Sequence, residues 1–492
     1  MAPDNKSSAA LAVAGTKVAS SARNMAAEEV SSRAEQARHA AAQWRRYSIT
    51  QRVDIVRALW REISLRKLEL FRVIHDETGK PFAEIEVMEF STVSLILKYF
   101  TRNAHRILQN QAAWRPWILF NKSAYTRYSP RGVIGLITPW NLPFMIPFGD
   151  AIPALLAGNA VLIKPSEWTS KTALWLEEAV KTSGLLPEGL LSVVTGDGSV
   201  GRQVIAESDM ILFTGSTRSG KLVAQAAAAE LKVAVLELGG KHPMIVFKDA
   251  DLQRASKAAV WGSFANCGQL CVGVERVYVE AEIHDRFLEA VRAETAKLRQ
   301  GLEGEDTDIA RLIFPPQLEH VQGQLEDARS KGAHVIGGEV LDAERLMMKP
   351  AIVSGARHEM KIMTEETFGP VMPIMKVTRG EDAIRLSNEG PFGLAASLWT
   401  RDLAKAERLG ASVEAGLLSI NDLLSHYAVC SLPFGGMKSS GIGRRHSDEG
   451  LRMFCNQQSV FIHEWPASAP ELWWFPYDKF KTRLVSMASR FT

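Results

Sequence analysis

The chain contains few cysteines for its length: four in 492 residues, at positions 267, 271, 430 and 455. So few cysteines argue against a disulfide-stapled scaffold, and none has partners at the spacing of a zinc site, so no metal site is predicted. No apolar run approaches the roughly 18 residues that a membrane-spanning helix needs. The formal net charge is only +3, which predicts no concentrated basic surface for nucleic acid. These absences favour a folded protein of the reducing, cytoplasmic compartment.

The overall composition is that of an ordinary folded protein, with 46% hydrophobic and 23% charged residues. The chain is long enough for two or three domains. Residues 1–25 are rich in alanine and serine but lack the continuous apolar segment of a signal peptide. We therefore predict a disordered tail there.

Periodic patterns divide the following residues into a helical region and a mixed region. In residues 26–109 apolar side chains recur three and four positions apart, as in 51–66, which predicts helices. Residues 114–127 are rich in aromatic and aliphatic side chains and are predicted to be extended. From residue 132 onward, short apolar runs alternate with amphipathic stretches. The predicted strands are 132–138, 160–163, 191–195, 210–213 and 233–238, and the predicted helices are 148–157, 171–183 and 219–231.

Strands that alternate with helices predict an α/β fold with a doubly wound parallel sheet buried on both faces. A second α/β region follows over residues 239–430, with helices predicted at 252–265, 283–299 and 316–331. Ligands of such folds bind at the carboxyl ends of the strands. Residues just after each predicted strand are therefore candidates for a functional site.

Two glycine-rich turns follow predicted strands. Residues 196–201 read GDGSVG and match G-x-G-x-x-G directly after the strand 191–195. Residues 213–220 read FTGSTRSG and also join a strand to a helix, which Ser216 or Thr217 can cap. Glycines in such turns let the backbone approach a pyrophosphate at a helix N-terminus. Each turn alone is also compatible with a plain glycine-rich loop, but two in one sheet favour a dinucleotide site.

Six short segments carry chemically distinctive residues. They are PWNLP at 139–143, KPSE at 164–167, ELGGK at 237–241, NCGQLC at 266–271, ETFGP at 366–370 and PFGGMKSSG at 433–441. In their order and approximate spacing they resemble the aldehyde dehydrogenase superfamily, over roughly residues 30–465. The resemblance implies an NAD(P)-dependent oxidation of a small-molecule aldehyde.

The resemblance also implies a division of the chain and an assembly. The expected units are an NAD-binding Rossmann-like domain over 26–238, a catalytic domain over 239–430, a return segment and arm over 431–470, and a C-terminal tail over 471–492. Relatives pair through extended arms, which here correspond to residues 112–129 and 457–463. A homodimer or homotetramer is therefore expected.

By the same resemblance, Cys271 is the catalytic nucleophile. A thiolate that attacks an aldehyde carbonyl gives a thiohemiacetal with oxyanion character. The side-chain amide of Asn141 and the backbone N–H of Cys271 would hold that oxyanion. Glu237 would then deprotonate the water that hydrolyses the resulting thioester.

Each of these residue types also has a purely structural interpretation, with no role in catalysis. A cysteine is more often a small buried hydrophobe than a nucleophile. A glutamate at a strand end is more often part of an ion pair, and Asn141 could simply form a turn before Pro143. We keep the structural interpretation for Cys267, Cys430, Cys455, His242 and His426.

The implied cofactor is NAD+ or NADP+. The expected cofactor contacts are Trp140, Lys164, Glu167, Gly196, Gly201, Gly215, Ser216, Gly220, Leu238, Glu366 and Phe368. Among them, Lys164 and Glu167 should meet the adenosine ribose and Glu366 the nicotinamide ribose. The Glu167 carboxylate would accept hydrogen bonds from ribose hydroxyls and repel a 2′-phosphate, whereas Lys164 would attract that phosphate. NAD+ is favoured because of the Glu167 carboxylate.

Two stretches are expected to select the aldehyde, residues 142–150 and residues 421–432. Neither contains lysine or arginine. Because burial of a carboxylate without a partner costs several kcal/mol, an apolar or aromatic aldehyde is predicted. Succinate semialdehyde remains the alternative, since the middle region resembles a bacterial subgroup with that activity.

Two other function classes stay open. A CoA-acylating dehydrogenase would pass the acyl group to a thiol, but such relatives often lack the glutamate that Glu237 matches. A non-catalytic relative would have no reason to retain Cys271, Glu237 and Asn141 together.

The C-terminal residues 473–492 combine aromatic and basic side chains. After the run WWFP, apolar residues recur at 477, 480, 484, 487 and 491, and lysines and arginines lie off that stripe. Such a helix can lie in a membrane interface, or it can pack on its own subunit or on a neighbour. Peripheral membrane contact is a hypothesis beside the cytoplasmic location.

Overall fold

A computed structural model of the chain describes residues 23–301, 307–465, 471 and 473–489. It begins with helices, as predicted. They are Ala27–Trp44, Ile49–Leu65, Lys67–Thr78, Phe82–Glu84 and Thr92–Leu108, with a π-helix over Ile85–Ser91. Ser48 and Gln51 form a capping box that starts the second helix. Most of the predicted N-terminal tail, residues 1–22, lies outside the described residues, whereas Met25 donates a backbone hydrogen bond to Thr195.

A six-stranded sheet follows. Its order is Gly441–Ile442, Val233–Glu237, Met210–Thr214, Val133–Ile137, Ala160–Lys164 and Leu191–Val193. All neighbours are parallel except Gly441–Ile442, which pairs antiparallel. The connecting helices are Met145–Ala157, Ser170–Ser183, Gly198–Glu207 and Thr217–Ala229. The chain winds outward from Val133–Ile137 first to one side and then to the other, so the strand order reverses between Val133–Ile137 and Met210–Thr214, where sheets of this kind bind ligands. The predicted doubly wound α/β class is confirmed.

A seven-stranded sheet forms the second α/β region. Its order is His334–Gly337, Ala351–Ser354, Val371–Val377, Val274–Glu280, His242–Val246, Ala395–Trp399 and Leu417–Ile420, with only the first pair antiparallel. Its helices are Leu252–Phe264, His284–Thr295, Pro315–Ser330, Lys361–Thr364, Gly380–Asn388 and Leu403–Gly410, and Ser447–Arg452 follows. The short elements are 3₁₀ turns at Ala265–Gly268 and Ser425–Ala428, and the strand pairs Val340–Asp342 with Met347–Met348 and Phe392–Gly393 with Met437–Lys438. Each large sheet has its own apolar core.

The two predicted arm segments pair with each other in a three-stranded antiparallel sheet. Its strands are Gln111–Ala112, Lys122–Pro130 and Cys455–His463. The prediction that all of 114–127 is extended is wrong in its first part, because Trp117–Leu119 form a 3₁₀ turn closed by backbone hydrogen bonds. Pairing of these arms between subunits stays a prediction.

The C-terminal tail contains the helix Lys479–Ala488, which Asp478 caps. Trp474, Phe475, Tyr477 and Phe480 are exposed. The last apolar position of the predicted stripe, residue 491, lies outside the described residues. Within the part of the chain that the structure describes, no helix is both long enough and apolar enough to cross a membrane.

Candidate active site

A cavity of about 350 Å³ is lined by residues at the carboxyl ends of the first sheet and by residues that precede strands of the second, among them Cys271, Val272 and Leu394. Glu237 ends the strand Val233–Glu237 of the first sheet, and Leu238 follows it. Cys271 precedes the strand Val274–Glu280 of the second sheet. All three residues line the cavity, so the fold brings the predicted base and the predicted nucleophile to one place.

The backbone before Cys271 is tightly constrained. Residues 266–268 all adopt left-handed φ angles, between 52° and 73°, and turn the chain sharply after the helix Leu252–Phe264. The Gln269 side chain donates to a carbonyl within this turn and accepts from the backbone N–H of Ile313, both at 2.8 Å. Cys271 is half-buried, whereas the other three cysteines are buried. The turn therefore presents one thiol to the cavity.

Burial sets the titration of the two reactive groups. It raises the pKa of the Cys271 thiol to about 12, with the nearby Glu237 and Glu366 carboxylates adding to the shift and Arg445 opposing it. It also raises the pKa of Glu237 to about 8, again with Arg445 opposing. Both carboxylate oxygens of Glu237 are buried without a hydrogen-bond partner among the described residues. A carboxyl group with a pKa near neutrality can take a proton from a neighbouring thiol or water.

Asn141 is buried next to the turn before Cys271 and is not one of the residues that line the cavity. Its side-chain amide donates to the carbonyl of Gln269 at 2.9 Å, and its own carbonyl accepts from Lys80 Nζ at 2.6 Å and from the Asn266 side chain at 3.1 Å. Because a primary amide has two N–H groups, one of them is not used by the Gln269 bond. Asn141 is thus held against the same turn that positions Cys271.

The Lys80 side chain is itself held by a buried ion pair. Its ammonium lies 2.5 Å from the Glu89 carboxylate, and both side chains are almost fully inaccessible to solvent. The second oxygen of Glu89 accepts from the backbone N–H groups of Phe144 and Met145 at 3.1 and 2.8 Å. The N-terminal helical region therefore fixes the segment that carries Asn141.

Most of the predicted adenine-side residues lie around two helix N-termini. Asp197 and Ser216 cap the helices Gly198–Glu207 and Thr217–Ala229, each by accepting from a backbone N–H in the first turn. The predicted residues Gly196, Gly201, Gly215 and Gly220 belong to these turns or to the first helical turn after them. Helix N-termini attract phosphate through their free amides and dipole.

Lys164 and Glu167 lie beside the first of these turns. Lys164 Nζ is 3.5 Å from the Glu167 carboxylate, and a Cβ atom at Gly201 would lie 3.9 Å from the Lys164 side chain. Lys164 is buried, which lowers the pKa of its ammonium, whereas the Glu167 side chain is about half exposed. A cation and an accessible carboxylate therefore stand next to one helix N-terminus.

The predicted nicotinamide-side residues surround the ELGGK segment. A Cβ atom at Gly220 would lie 2.3 Å from the Leu238 side chain, which would have to move to make room for it. Glu366 accepts a hydrogen bond from a backbone N–H of this segment at 2.9 Å, and burial raises the pKa of its carboxyl to about 8. Phe368 meets the Trp140 ring edge to face, with centroids 5.4 Å apart. Of the described residues predicted to bind cofactor, Leu238 alone also lines the cavity that holds Cys271.

Arg445 is a site residue that the sequence analysis missed. Its buried guanidinium lines the cavity, donates to the Thr214 hydroxyl and lies 2.8 Å from the Asp150 carboxylate. Burial raises the pKa of Asp150 to about 6, although Arg445 opposes the shift. The sequence did contain a signal, because Asp150 is the one acid in the entirely buried helix Met145–Ala157. A carboxylate there needs a partner, but the sequence does not say which cation supplies it.

The stretches predicted to select the aldehyde lie only partly at the cavity. From these stretches the lining residues are Leu142, Met145, Ile146, Leu424, Ser425, Tyr427 and Ala428. His426 instead lies 3.3 Å from the Ser419 hydroxyl. Further lining residues, which the sequence analysis did not consider, come from the N-terminal helices: Val87, Met88, Ser91, Thr92 and Leu95.

Comparisons with known proteins show which family this chain and its fold resemble. The model of the aldehyde dehydrogenase family matches residues 3–460. A 4,4′-diapolycopene aldehyde oxidase of Methylomonas is 38% identical over 90% of this chain and 83% of its own length. A protein of Mycobacterium ulcerans, provisionally named an NADP+ succinate-semialdehyde dehydrogenase, is 34% identical over 91% of this chain and 88% of its own. The crystal structure of an NAD-dependent aldehyde dehydrogenase from Sinorhizobium meliloti superposes with a TM-score of 0.86, at 33% identity, over 92% of this chain and 89% of that one.

Proposed function

Because the chain belongs to the aldehyde dehydrogenase family, we propose that it oxidises an apolar aldehyde to the carboxylic acid, with NAD+ or NADP+ as hydride acceptor. The main support for an apolar substrate is that apolar side chains predominate in the wall of the cavity beside Cys271. Its charged residues are Glu237 and Arg445, and the Arg445 guanidinium is already paired with Asp150. An anionic substrate would have to compete with Asp150 for that cation.

In the proposed reaction, the Cys271 thiol loses its proton to Glu237 and the sulfur attacks the aldehyde carbon. The carbonyl oxygen becomes an oxyanion, which the Asn141 side-chain amide and the Cys271 backbone N–H stabilise. Loss of one such donor typically costs about 2.7–4 kcal/mol of barrier. When bound, the dinucleotide supplies the hydride acceptor.

The same two residues serve the second half of the reaction. The acyl group remains on Cys271 as a thioester, and Glu237 returns its first proton to solvent. Glu237 then takes a proton from the water that attacks the acyl carbon, the C–S bond breaks, and the acid leaves. A carboxyl whose pKa lies near 8 can carry protons in both directions near neutral pH.

The described residues fit a dinucleotide. Two capped helix N-termini offer amide donors for a pyrophosphate, and the lysine and glutamate of the KPSE segment lie beside one of them. Glu366 and Phe368 stand near the catalytic end. We favour NAD+, because the Glu167 carboxylate suits ribose hydroxyls better than a 2′-phosphate.

Two observations favour the second candidate, succinate semialdehyde. Arg445 places a cation in the cavity wall, and a relative at 34% identity carries that substrate in its name. The pairing with Asp150 is why we rank it below an apolar aldehyde.

A panel of aldehydes tests these alternatives through the absorbance of NADH or NADPH. The panel covers straight-chain, aromatic and carboxylated aldehydes, with and without CoA. We expect the highest kcat/KM with apolar aldehydes, no dependence on CoA, no turnover by Cys271→Ala and full turnover by Cys430→Ala, a matched control at a buried cysteine. A preference for succinate semialdehyde, a need for CoA, or activity in Cys271→Ala would each contradict the proposal.

Two further proposals concern the whole molecule. The exposed aromatic side chains and the lysines of the C-terminal helix support contact with a membrane surface. The three-stranded arm supports association into a homodimer or homotetramer.

A further inference from the structure

A second cavity, of about 520 Å³, adjoins the catalytic one. It lies between the N-terminal helical region, the end of the helix Leu252–Phe264 and the segment after His284–Thr295. Its apolar walls are formed by Pro81, Val260, Phe264, Leu298 and Ile309. Three side chains, Val87, Met88 and Trp261, line both cavities, so the two cavities meet at these side chains.

The residues at this junction are large, apolar and accessible. Val87 is 59% exposed and Trp261 is 44% exposed. Val87 and Met88 lie on the π-helix Ile85–Ser91. π-Helices are rare in proteins, but where they do occur they are often at functional sites. Apolar side chains that remain accessible between two cavities are stabilised when an apolar ligand covers them.

Five charged side chains also line the second cavity: Glu84, Lys257, Glu294, Lys297 and Asp308. Glu294 lies 2.7 Å from Lys297, and Asp308 lies 3.0 Å from Arg299. Glu84 accepts a hydrogen bond from the backbone N–H of Asn266 at 2.7 Å. Apolar atoms nevertheless form most of the accessible wall, as they do in the catalytic cavity.

We propose that the two cavities bind one long apolar aldehyde, with its carbonyl at Cys271 and its distal chain in the second cavity. This inference rests on the proposed function and adds the length of the substrate to it. The chain would pass over Val87, Met88 and Trp261, which explains why these side chains are apolar although solvent reaches them. A short aldehyde would occupy the catalytic cavity alone.

A series of straight-chain aldehydes of increasing length tests the proposal. Burial of each added methylene group increases affinity about fourfold. We therefore expect kcat/KM to rise by up to about fourfold per added methylene group, also for chains long enough to pass Val87, Met88 and Trp261. Loss of this gain as soon as the first cavity is full would overturn the inference while leaving the proposed function intact. No reduction of NAD+ or NADP+ with any aldehyde would instead refute the proposed function.

Two variants test whether the rise of kcat/KM with chain length arises in the second cavity. Leu298→Asp introduces a carboxylate into its wall, and Val87→Trp adds bulk at the junction. Each should lower the ratio of kcat/KM for the longest over the shortest aldehyde by at least about tenfold, the loss expected when two methylene groups are excluded. Leu403→Asp, an exposed leucine that lines neither cavity, is the matched control and should leave the ratio unchanged.

The competing occupant of this surface is a second copy of the chain. Size-exclusion chromatography of Leu298→Asp and Val87→Trp distinguishes the two cases. A change of oligomeric state in both variants, with an unchanged ratio, would assign the surface to a subunit contact and overturn the inference.

Discussion

At the residue scale, ordinary side chains acquire unusual properties from their surroundings. Glu237 is nearly inaccessible to solvent, and neither of its carboxylate oxygens has a hydrogen-bond partner among the described residues. In water a carboxyl with this chemistry would be ionised and a poor base near pH 7. Burial beside Asp150 keeps it protonated up to a pKa of about 8, with only Arg444 and Arg445 opposing.

Glu237→Gln should slow both halves of the proposed reaction. The amide can take a proton neither from the Cys271 thiol nor from water, so we expect no rapid burst of NADH and turnover slower by about 10²–10⁴. Stopped-flow absorbance measures both phases. A full burst of one equivalent of NADH followed by slow turnover would show that another base takes the Cys271 proton, and unchanged turnover would remove Glu237 from the mechanism.

The pH dependence of thioester hydrolysis should follow the same carboxyl. Since the base must be ionised and its pKa is raised to about 8, the rate should fall about tenfold per pH unit below that value and level off above it. Release of acid from the acylated enzyme, followed against pH, checks this. A profile that is already flat from pH 5 would show that the base is not Glu237.

Glu167→Gln should shift the coenzyme preference toward NADP+. The substitution removes a like charge near a 2′-phosphate, an effect of about 1 kcal/mol at an accessible site, or roughly fivefold in the ratio of kcat/KM for NADP+ over NAD+. Initial rates with each coenzyme measure it. Glu188→Gln, at an exposed acid of the same domain, should not change the ratio. An equal ratio in both variants would show that Glu167 does not contact the adenosine ribose.

At the element scale, the segment that carries Asn141 depends on a helical region that is distant in sequence. The Lys80–Glu89 pair links the N-terminal helices both to the Asn141 carbonyl and to the start of the helix Met145–Ala157. Helix and strand positions here were predictable, because periodic patterns are local. The contact was not, since two charged residues in a helical sequence are usually solvated.

Lys80→Met should therefore destabilise the fold and lower kcat together. Removal of one partner leaves a buried charge uncompensated, which typically costs about 3–5 kcal/mol. Urea unfolding measures the free energy of unfolding. Addition of Glu89→Gln should recover most of that loss, because the charge disappears while an amide oxygen still accepts from Phe144 and Met145. No recovery in the double variant would mean that packing rather than charge dominates.

At the scale of the whole molecule, the C-terminal helix and the segment before it expose several aromatic side chains. Trp474 and Phe480 are 55% and 72% exposed. If these rings enter a membrane interface, Trp474→Ser with Phe480→Ser should reduce co-sedimentation with anionic lipid vesicles by at least about tenfold, since one buried aromatic is worth about 1.5–3 kcal/mol. Tyr47→Ser, at an exposed ring elsewhere, is the control. Binding that is equal in all variants would assign the helix to a protein contact.

The sequence by itself determined the α/β class, the positions of most strands and helices, and the segments that contain Cys271, Glu237 and Asn141. These depend on local periodicity and on short motifs. Only the tertiary structure decided that Arg445, in the cavity wall, pairs with Asp150, that Lys80 holds Asn141, and that the N-terminal helices line the cavity beside Cys271. The physical reason is that a buried charge requires a partner of opposite sign, but its identity depends on which distant segments the packing brings together.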